Sequence, residues 1–285
     1  MTSSIAQKRI AFVGAGSMAE ALFRGLIERN ITQPEQLYVM NRSDQAKLDR
    51  IHKQYGVHVS SDTSQREAYI SQADVVVVCM KPKDAVTAFQ ELKVLLNERQ
   101  LLISVIAGLS IEKMETLLGS RMPIARTMPN TSSTIGLGAT GISFSASVGE
   151  AYRQLVIQMF EAVGIVTIVE EAKLEIVTGL SGSGPAYVYY FIEAMIHAAV
   201  EGGLPEQEAR KLTIQTLLGA AHMVQQTQED PAELRRKVTS PGGATQAAIE
   251  ALDRYQFKEG VVTAVTSSAE RAKQMGEQII TAKQD

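Results

Sequence analysis

A glycine-rich turn near the N-terminus constrains the fold of this chain more than any other feature. Gly14-Ala15-Gly16-Ser17-Met18-Ala19 follows the apolar run Ile10–Val13 directly and opens a helical segment. It fits the pattern G-x-G-x-x-G/A, whose first glycine permits a tight turn and whose second lets a pyrophosphate approach the backbone. The small third residue allows strand and helix to pack closely, and the helix N-terminus offers free N–H groups. The motif therefore predicts a dinucleotide-binding strand–turn–helix unit.

Short apolar runs alternate with helical stretches up to about Val169. The run Val75–Val78 has no polar alternation, which is typical of a strand in the middle of a parallel sheet. The predicted strands are residues 10–13, 37–40, 75–78, 101–106, 142–144 and 165–169. The first two predicted helices are residues 18–29 and 44–55, and Asp44 is placed to cap the second. This order predicts an α/β Rossmann domain with a doubly wound, mainly parallel sheet.

After about Lys173, the sequence no longer shows strand-like runs and instead contains residues that are typical of helix starts. Pro185, Pro205 and Pro231 each stand where a first helical turn would begin, and Asp230 can cap the last of these helices. The helix over residues 185–200 is apolar nearly all round and must be buried on every side, so we expect a second subunit to cover it. We predict a Rossmann domain over residues 1–170 and an all-α dimerisation and substrate-binding domain over residues 171–285.

Composition narrows the classes of partner and compartment. The chain has 28 basic and 31 acidic residues and a net charge of −3, which argues against nucleic acid or an anionic membrane as a partner. Its single cysteine, Cys79, fits a reducing compartment. Neither a secretory signal nor a run of about 18 uncharged apolar residues is present, so we expect a cytoplasmic protein.

The end of the second predicted strand bears on the choice of coenzyme. NAD-binding folds usually place an acidic residue there to accept from the ribose, whereas a nearby arginine accommodates the 2′-phosphate of NADP. This chain has Asn41-Arg42-Ser43 and no acid before Asp44. NADPH is therefore favoured and NADH stays possible. The alternative is that Arg42 is a solvated arginine on a loop.

Two further strand ends supply candidates, because ligands of open α/β sheets bind at the carboxyl ends of the strands. Met80, Lys81 and Pro82 follow one strand, and Ala107-Gly108 follows the next. Lys81 is either a coenzyme ligand or a surface lysine. The predicted cofactor-binding residues are Gly14, Ala15, Gly16, Ser17, Met18, Asn41, Arg42, Ser43, Met80, Lys81, Pro82, Ala107 and Gly108.

Two glycine-rich stretches lie in the C-terminal half. In residues 238–245, Gly242-Gly243 precedes small residues at a helix N-terminus, which can cradle a carboxylate, and Thr245 adds a hydroxyl. The alternative there is a plain turn with a capping threonine. Residues 179–185 contain three glycines and two serines and precede the long apolar helix. The serines of this stretch can cap that helix.

Histidine spacing predicts no metal site. The chain's four histidines, His52, His58, His197 and His222, show neither metal-ligand spacing nor a nucleophile partner. His197 lies on the apolar helix, where a satisfied core residue is expected.

Together these stretches resemble the pyrroline-5-carboxylate reductases along essentially the whole chain. The resemblance rests on residues 14–18, Lys81-Pro82, Ala107-Gly108, Met128-Pro129-Asn130-Thr131, residues 179–187 and the segment 231–252. It implies reduction of the cyclic imine 1-pyrroline-5-carboxylate to L-proline, the last step of proline synthesis, by NADPH or NADH. It also implies dimers that often assemble into rings.

The resemblance assigns roles to residues as well. It implies that the substrate carboxylate meets the N–H groups of Gly243, Ala244 and Thr245 and that the Thr245 hydroxyl, the catalytic candidate, faces the ring nitrogen. Asn130 and Ser181 are further substrate-binding candidates. The coenzyme preference is left open.

Two other functions fit the same architecture. One is another NADP-dependent imine or β-hydroxyacid reductase. The β-hydroxyacid dehydrogenases place a catalytic lysine on the first long helix of the second domain, and residues 185–200 contain none. The distant alternative, a non-catalytic dinucleotide-binding protein, has no need of the cradle at Gly243-Ala244-Thr245.

Overall fold

The fold is described by a computed structural model for residues 5–281. Its eight strands are β1 (Ile10–Val13), β2 (Leu37–Met40), β3 (His58–Ser60), β4 (Val75–Val78), β5 (Leu101–Ser104), β6 (Ile124–Met128), β7 (Gly138–Phe144) and β8 (Gly164–Ile168). They form one sheet in the order β3-β2-β1-β4-β5-β6-β7-β8. All neighbouring strands are parallel except β6 and β7, which are antiparallel. The predicted doubly wound, mainly parallel sheet is confirmed.

The α-helices follow the strands in the first part of the chain and replace them in the second. They are α1 (Ser17–Glu28), α2 (Gln45–Tyr55), α3 (Thr63–Gln72), α4 (Ala85–Lys93), α5 (Ile111–Leu118), α6 (Glu150–Glu161), α7 (Leu174–Val177), α8 (Gly184–Glu201), α9 (Glu206–Thr227), α10 (Pro231–Lys237), α11 (Ala244–Arg254) and α12 (Phe257–Thr281). A π-helical turn, Thr178–Gly182, joins α7 to α8. Past Ile168, the described chain contains helices and no strand.

Strand β4 lies inside the sheet and is fully buried along its length. Val75 and Val77 point into one hydrophobic cluster with Phe12, whereas Val76 and Val78 point into a second cluster on the opposite face. Both faces of β4 are covered, which is why its sequence shows no alternation.

Two strands were not apparent in the sequence. Strand β3 has only three residues, the first of them the exposed His58. Strand β6 carries a charged residue, Arg126, whose guanidinium is buried between Glu171 and Glu175. A buried arginine interrupts the apolar pattern that is typical of an interior strand, so the hydrophobic pattern of the sequence did not predict β6.

The predicted helix caps are present. The Asp44 carboxylate accepts from the Lys47 N–H at 3.0 Å at the start of α2. The Asp230 carboxylate accepts from the Ala232 N–H at 2.7 Å ahead of Pro231. Both caps satisfy first-turn donors that have no partner within the helix.

The chain forms two compact units. The first comprises the residues up to Ser183 together with those from Thr266 onwards, and the second is Gly184–Val265. The first contains the sheet, and the second is helical. The domain boundary between residues 170 and 171 stays a prediction.

Helix α8 is apolar, yet none of its residues is buried within the single chain. Its tyrosines Tyr189 and Tyr190 are exposed. In the single chain the side chain of His197 is 75% exposed and its Nε2 lies 3.4 Å from the Glu201 carboxylate, so its place in a buried core stays a prediction that depends on a second subunit. No helix among residues 5–281 combines the length and apolarity that a membrane crossing requires.

Candidate functional site

A cleft of about 880 Å³ opens in the first unit where β1, β2 and β4 end. Strand order reverses between β1 and β4, and ligands of doubly wound sheets bind at such a switch point. Eight of the predicted cofactor-binding residues line this cleft: Gly14, Ala15, Gly16, Asn41, Arg42, Ser43, Met80 and Lys81.

The two motif glycines have different surroundings. Gly14 has a φ of +110°, and a Cβ there would lie 2.4 Å from the carbonyl oxygen of Cys79. Gly16 has a φ of −74°, which any residue adopts, and a Cβ there would meet the protein only at 3.9 Å. Gly14 is therefore demanded by the backbone, whereas Gly16 keeps space clear in the cleft. Gly16 is also the N-cap of α1 and supplies no capping side chain, so the site fits a pyrophosphate.

The remaining predicted cofactor residues, Ser17, Met18, Pro82, Ala107 and Gly108, are not in the cleft lining. Gly108 is buried, with a φ of +77°, and a Cβ there would lie 2.4 Å from the Ala272 carbonyl oxygen and 2.9 Å from the Gly276 nitrogen. Packing against α12 therefore accounts for this glycine. A role for these five residues in coenzyme binding stays a prediction.

The loop after β2 carries a charge arrangement that sequence reasoning missed. Arg42 donates from Nη2 to the Glu91 carboxylate at 3.1 Å. Nη2 of Arg66 lies 3.6 Å from the other oxygen of that carboxylate. Arg66 and Glu91 lie on α3 and α4 and also line the cleft. In the sequence they look like ordinary charged positions on helix surfaces, so no local signal marked them.

Cys79 and Lys81 both reach the cleft. Cys79 is half-buried, and burial raises the pKa of its thiol to about 12. The thiol therefore stays protonated near neutral pH and is unsuited to act as a nucleophile. Lys81 is exposed just before the turn Pro82–Asp84.

The first unit brings Asn130 and Ser181 together. Asn130 donates from Nδ2 to the Ser181 carbonyl at 3.0 Å and accepts from the Ala139 N–H at 3.2 Å. The side chain thus ties the π-helical turn to the start of β7. Their role in substrate binding stays a prediction.

The serines of residues 179–185 have hydrogen-bond partners outside the first turn of α8, and their capping of that helix stays a prediction. The Ser181 hydroxyl donates to the Val177 carbonyl at 3.1 Å, and the Ser183 hydroxyl lies 2.8 Å from that of Ser268. The segment continues a helical path through the π-helical turn, so its hydroxyls meet earlier carbonyls or a neighbouring helix.

The second unit contains the predicted cradle at the start of α11. Gly243 is the N-cap, without a capping side chain, and the first intrahelical bond runs from the Ala247 N–H to the Gly243 carbonyl at 3.3 Å. The N–H groups of Ala244 and Thr245 precede that bond. The N–H of Gly243 donates to the Ser240 carbonyl at 3.0 Å, so this predicted donor is already engaged. Thr245 stands inside the helix, which also argues against the capping-threonine alternative.

Metal-ligating side chains are scattered: no three His, Cys, Asp or Glu residues cluster closely enough to hold an ion in the described part of the chain. The expectation of a metal-free protein stays a prediction.

The fold and the cleft define the class. The family model "NADP oxidoreductase coenzyme F420-dependent" matches residues 9–108, and "Pyrroline-5-carboxylate reductase dimerisation" matches residues 171–275. The protein is an oxidoreductase with a nicotinamide-dinucleotide-binding Rossmann domain and a helical dimerisation domain.

Similar proteins specify the family. Pyrroline-5-carboxylate reductase 2 of Bacillus subtilis (strain 168) is 39% identical over 271 residues, which cover 95% of this chain and 96% of that protein. The crystal structure of Plasmodium falciparum pyrroline carboxylate reductase with NADP bound matches at a TM-score of 0.86 and 32% identity, covering 95% of this chain and 99% of that one. The structure of a pyrroline-5-carboxylate reductase from Coxiella burnetii matches at a TM-score of 0.85 and 38% identity, covering 94% of this chain and 98% of that one. This chain belongs to the pyrroline-5-carboxylate reductase family.

Proposed function

We propose that this protein reduces 1-pyrroline-5-carboxylate to L-proline, the last step of proline synthesis, with NADPH preferred and NADH possible. The observation that carries this function is the cleft itself. It unites the open backbone at Gly16 with Arg42 at a sheet switch point, in a chain of this family.

The chain's own residues hold the coenzyme, which supplies the hydride when bound. The first turn of α1 directs N–H groups at the pyrophosphate, beside Gly14 and Gly16. Arg42 pairs with the 2′-phosphate, because a guanidinium recognises phosphate by charge-assisted hydrogen bonds.

The substrate carboxylate is held at the N-terminus of α11. The N–H groups of Ala244 and Thr245 precede the first intrahelical bond, and the helix dipole favours an anion there. Gly243 contributes the close approach of its backbone, and the Thr245 hydroxyl faces the ring nitrogen. Asn130 and Ser181 complete the proposed substrate-binding residues, as the family resemblance implies.

The reduction of a cyclic imine does not need a proton donor from the protein. A cyclic imine is electrophilic at carbon once its nitrogen is protonated, so the enzyme mainly holds two reactants in line, which is worth about 7–11 kcal/mol. A carbonyl reductase must stabilise a developing alkoxide and needs a nearby acid or lysine. Helix α8 contains no lysine, which favours the imine.

The same proposal includes the assembly and setting. The exposed apolar surface of α8 is covered by a second subunit, so the protein is a homodimer, with rings of dimers as a larger form. Residues 1–170 act as the coenzyme domain and residues 171–285 as the dimerisation and substrate domain. The protein works in the cytoplasm without metal, nucleic acid or membrane.

NADPH fluorescence, followed with and without pyrroline-5-carboxylate, tests the activity. We expect the fluorescence to fall only when the imine is present. Consumption with a β-keto acid or ketopantoate instead would select another reductase of this architecture. Tight NADPH binding with no consumption by any of them would select the non-catalytic dinucleotide-binding protein.

A further inference from the structure

Three charged side chains meet at one end of the cleft. Arg42 follows β2, Arg66 lies on α3 and Glu91 on α4. The Glu91 carboxylate bridges the arginines: one oxygen is 3.1 Å from Nη2 of Arg42 and the other is 3.6 Å from Nη2 of Arg66. We refer to these residues as the Arg42–Glu91–Arg66 cluster.

The cluster is unevenly buried. The Arg66 side chain is only 14% exposed, whereas those of Arg42 and Glu91 are 49% and 50% exposed. Removing a guanidinium from water is costly unless an anion compensates it. At 3.6 Å the Glu91 oxygen is too far for a good hydrogen bond to Arg66, so the pairing is loose.

The charges of the cluster do not balance. Two guanidinium groups face a single carboxylate, which leaves one net positive charge beside the loop Asn41-Arg42-Ser43. That loop is where a doubly wound fold receives the adenine ribose. A phosphate group carries about two negative charges and three acceptor oxygens, so it matches two arginines better than one carboxylate does.

We propose that Arg66 and Arg42 together bind the 2′-phosphate of NADP(H), and that Glu91 is an internal anion that competes with this phosphate. The half-exposed Glu91 turns towards solvent when the phosphate binds, and it stays between the arginines when NADH binds. Arg66 and Glu91 thereby set the coenzyme selectivity of the enzyme. This inference rests on the proposed function, since it requires the cleft to bind a dinucleotide.

Calorimetric titration with 2′,5′-ADP and 5′-ADP tests the cluster without involving catalysis. Arg66→Met should weaken 2′,5′-ADP by about 10-fold or more, the loss expected for a charged hydrogen bond, and leave 5′-ADP within about 2-fold. Glu91→Gln should tighten 2′,5′-ADP several-fold. Arg50→Met is the matched control, because Arg50 also pairs with a carboxylate, that of Glu20, and does not line the cleft. It should change neither affinity.

An unchanged ratio of the two affinities in folded Arg66→Met, or a loss of 2′,5′-ADP affinity in Glu91→Gln, would overturn the inference. If Arg66→Met does not fold, Arg66→Lys replaces it. Lysine lacks the planar fork of donors of a guanidinium, so this variant should still bind 2′,5′-ADP more weakly and 5′-ADP unchanged. An unchanged ratio of the two affinities in Arg66→Lys would overturn the inference. If wild-type protein binds neither nucleotide, the proposed function itself fails. Binding of both nucleotides with no response to Arg66 overturns only the present inference.

Discussion

The carbonyl oxygen of Cys79 lies 2.4 Å from the point where a Cβ on Gly14 would stand. The end of β4 thus closes over the glycine turn and leaves room there only for hydrogen. Two residues on, Gly16 faces no such obstacle. One short motif therefore contains a glycine that the backbone packing requires and a second glycine that we propose leaves room for the coenzyme.

Substitution separates these two functions. Gly16→Val should fold with a melting temperature near that of wild type and lose NADPH binding, because its side chain enters the path of the pyrophosphate. Gly14→Ala should lower stability by about 2–5 kcal/mol, through left-handed strain and overpacking against Cys79. Thermal unfolding and NADPH fluorescence measure both effects. Near wild-type NADPH affinity in folded Gly16→Val would contradict the assignment of the motif.

Arg42→Asp should exchange a phosphate partner for a ribose partner. A charged hydrogen bond contributes about 1.5–3 kcal/mol, so the ratio of NADPH to NADH affinity should fall by at least about 10-fold. The new carboxylate would also face Glu91, which adds repulsion against the phosphate. Fluorescence titration with each coenzyme gives the ratio. An unchanged ratio would mean that Arg42 serves only its ion pair.

Catalysis should not depend on a protein acid. Thr245→Val should raise the KM for the imine and spare NADPH binding, since valine keeps the shape and loses the hydroxyl. A positioned general acid supplies about 10²–10⁴-fold in rate, so Lys81→Met and Thr245→Val should each lose less than about 10²-fold in kcat. The pH profile of kcat/KM should follow titration of the free imine in both variants. A loss of about 10³-fold in kcat together with a missing limb of the profile would identify that residue as the proton donor.

The buried ion pairs of Arg126 on β6 should contribute more to the stability of the fold than exposed ion pairs do. Arg126 is 5% exposed and lies 3.1 Å from Glu171 and 2.7 Å from Glu175. Arg126→Met leaves the carboxylates of Glu171 and Glu175 without their ion-pair partner, although Glu171 keeps the hydrogen bond from the Ile111 N–H at 2.7 Å. Because both carboxylates are partly exposed, we expect the lower end of the usual loss of about 3–5 kcal/mol, which corresponds to a melting temperature about 6–12 °C lower. Arg50→Met removes a pair whose arginine is 48% exposed and should cost less than about 1 kcal/mol. Equal losses in the two variants would show that burial does not govern these pairs.

Local features of the sequence predicted much of the fold because their causes lie within a few residues. Asp44 and Asp230 could be recognised as caps, since a cap bonds an N–H two or three residues ahead. Val75–Val78 could be placed inside the sheet, since a strand covered on both faces has no polar side. Strands β3 and β6 could not be predicted from the sequence. Strand β3 is too short to show a pattern, and β6 contains a buried arginine whose ion-pair partners lie far along the chain.

The sequence by itself determined the glycine turn, the alternation of strands and helices, and the apolar helix that one chain leaves uncovered. Each follows from backbone sterics or hydrophobic period acting along the chain. Only the tertiary structure decided that Arg42 meets Glu91, 49 residues away, and that Arg66 shares this carboxylate. A charged residue on a helix has the same local pattern whether it faces water or a cleft, so its partner is known only when the sheet has brought distant segments together.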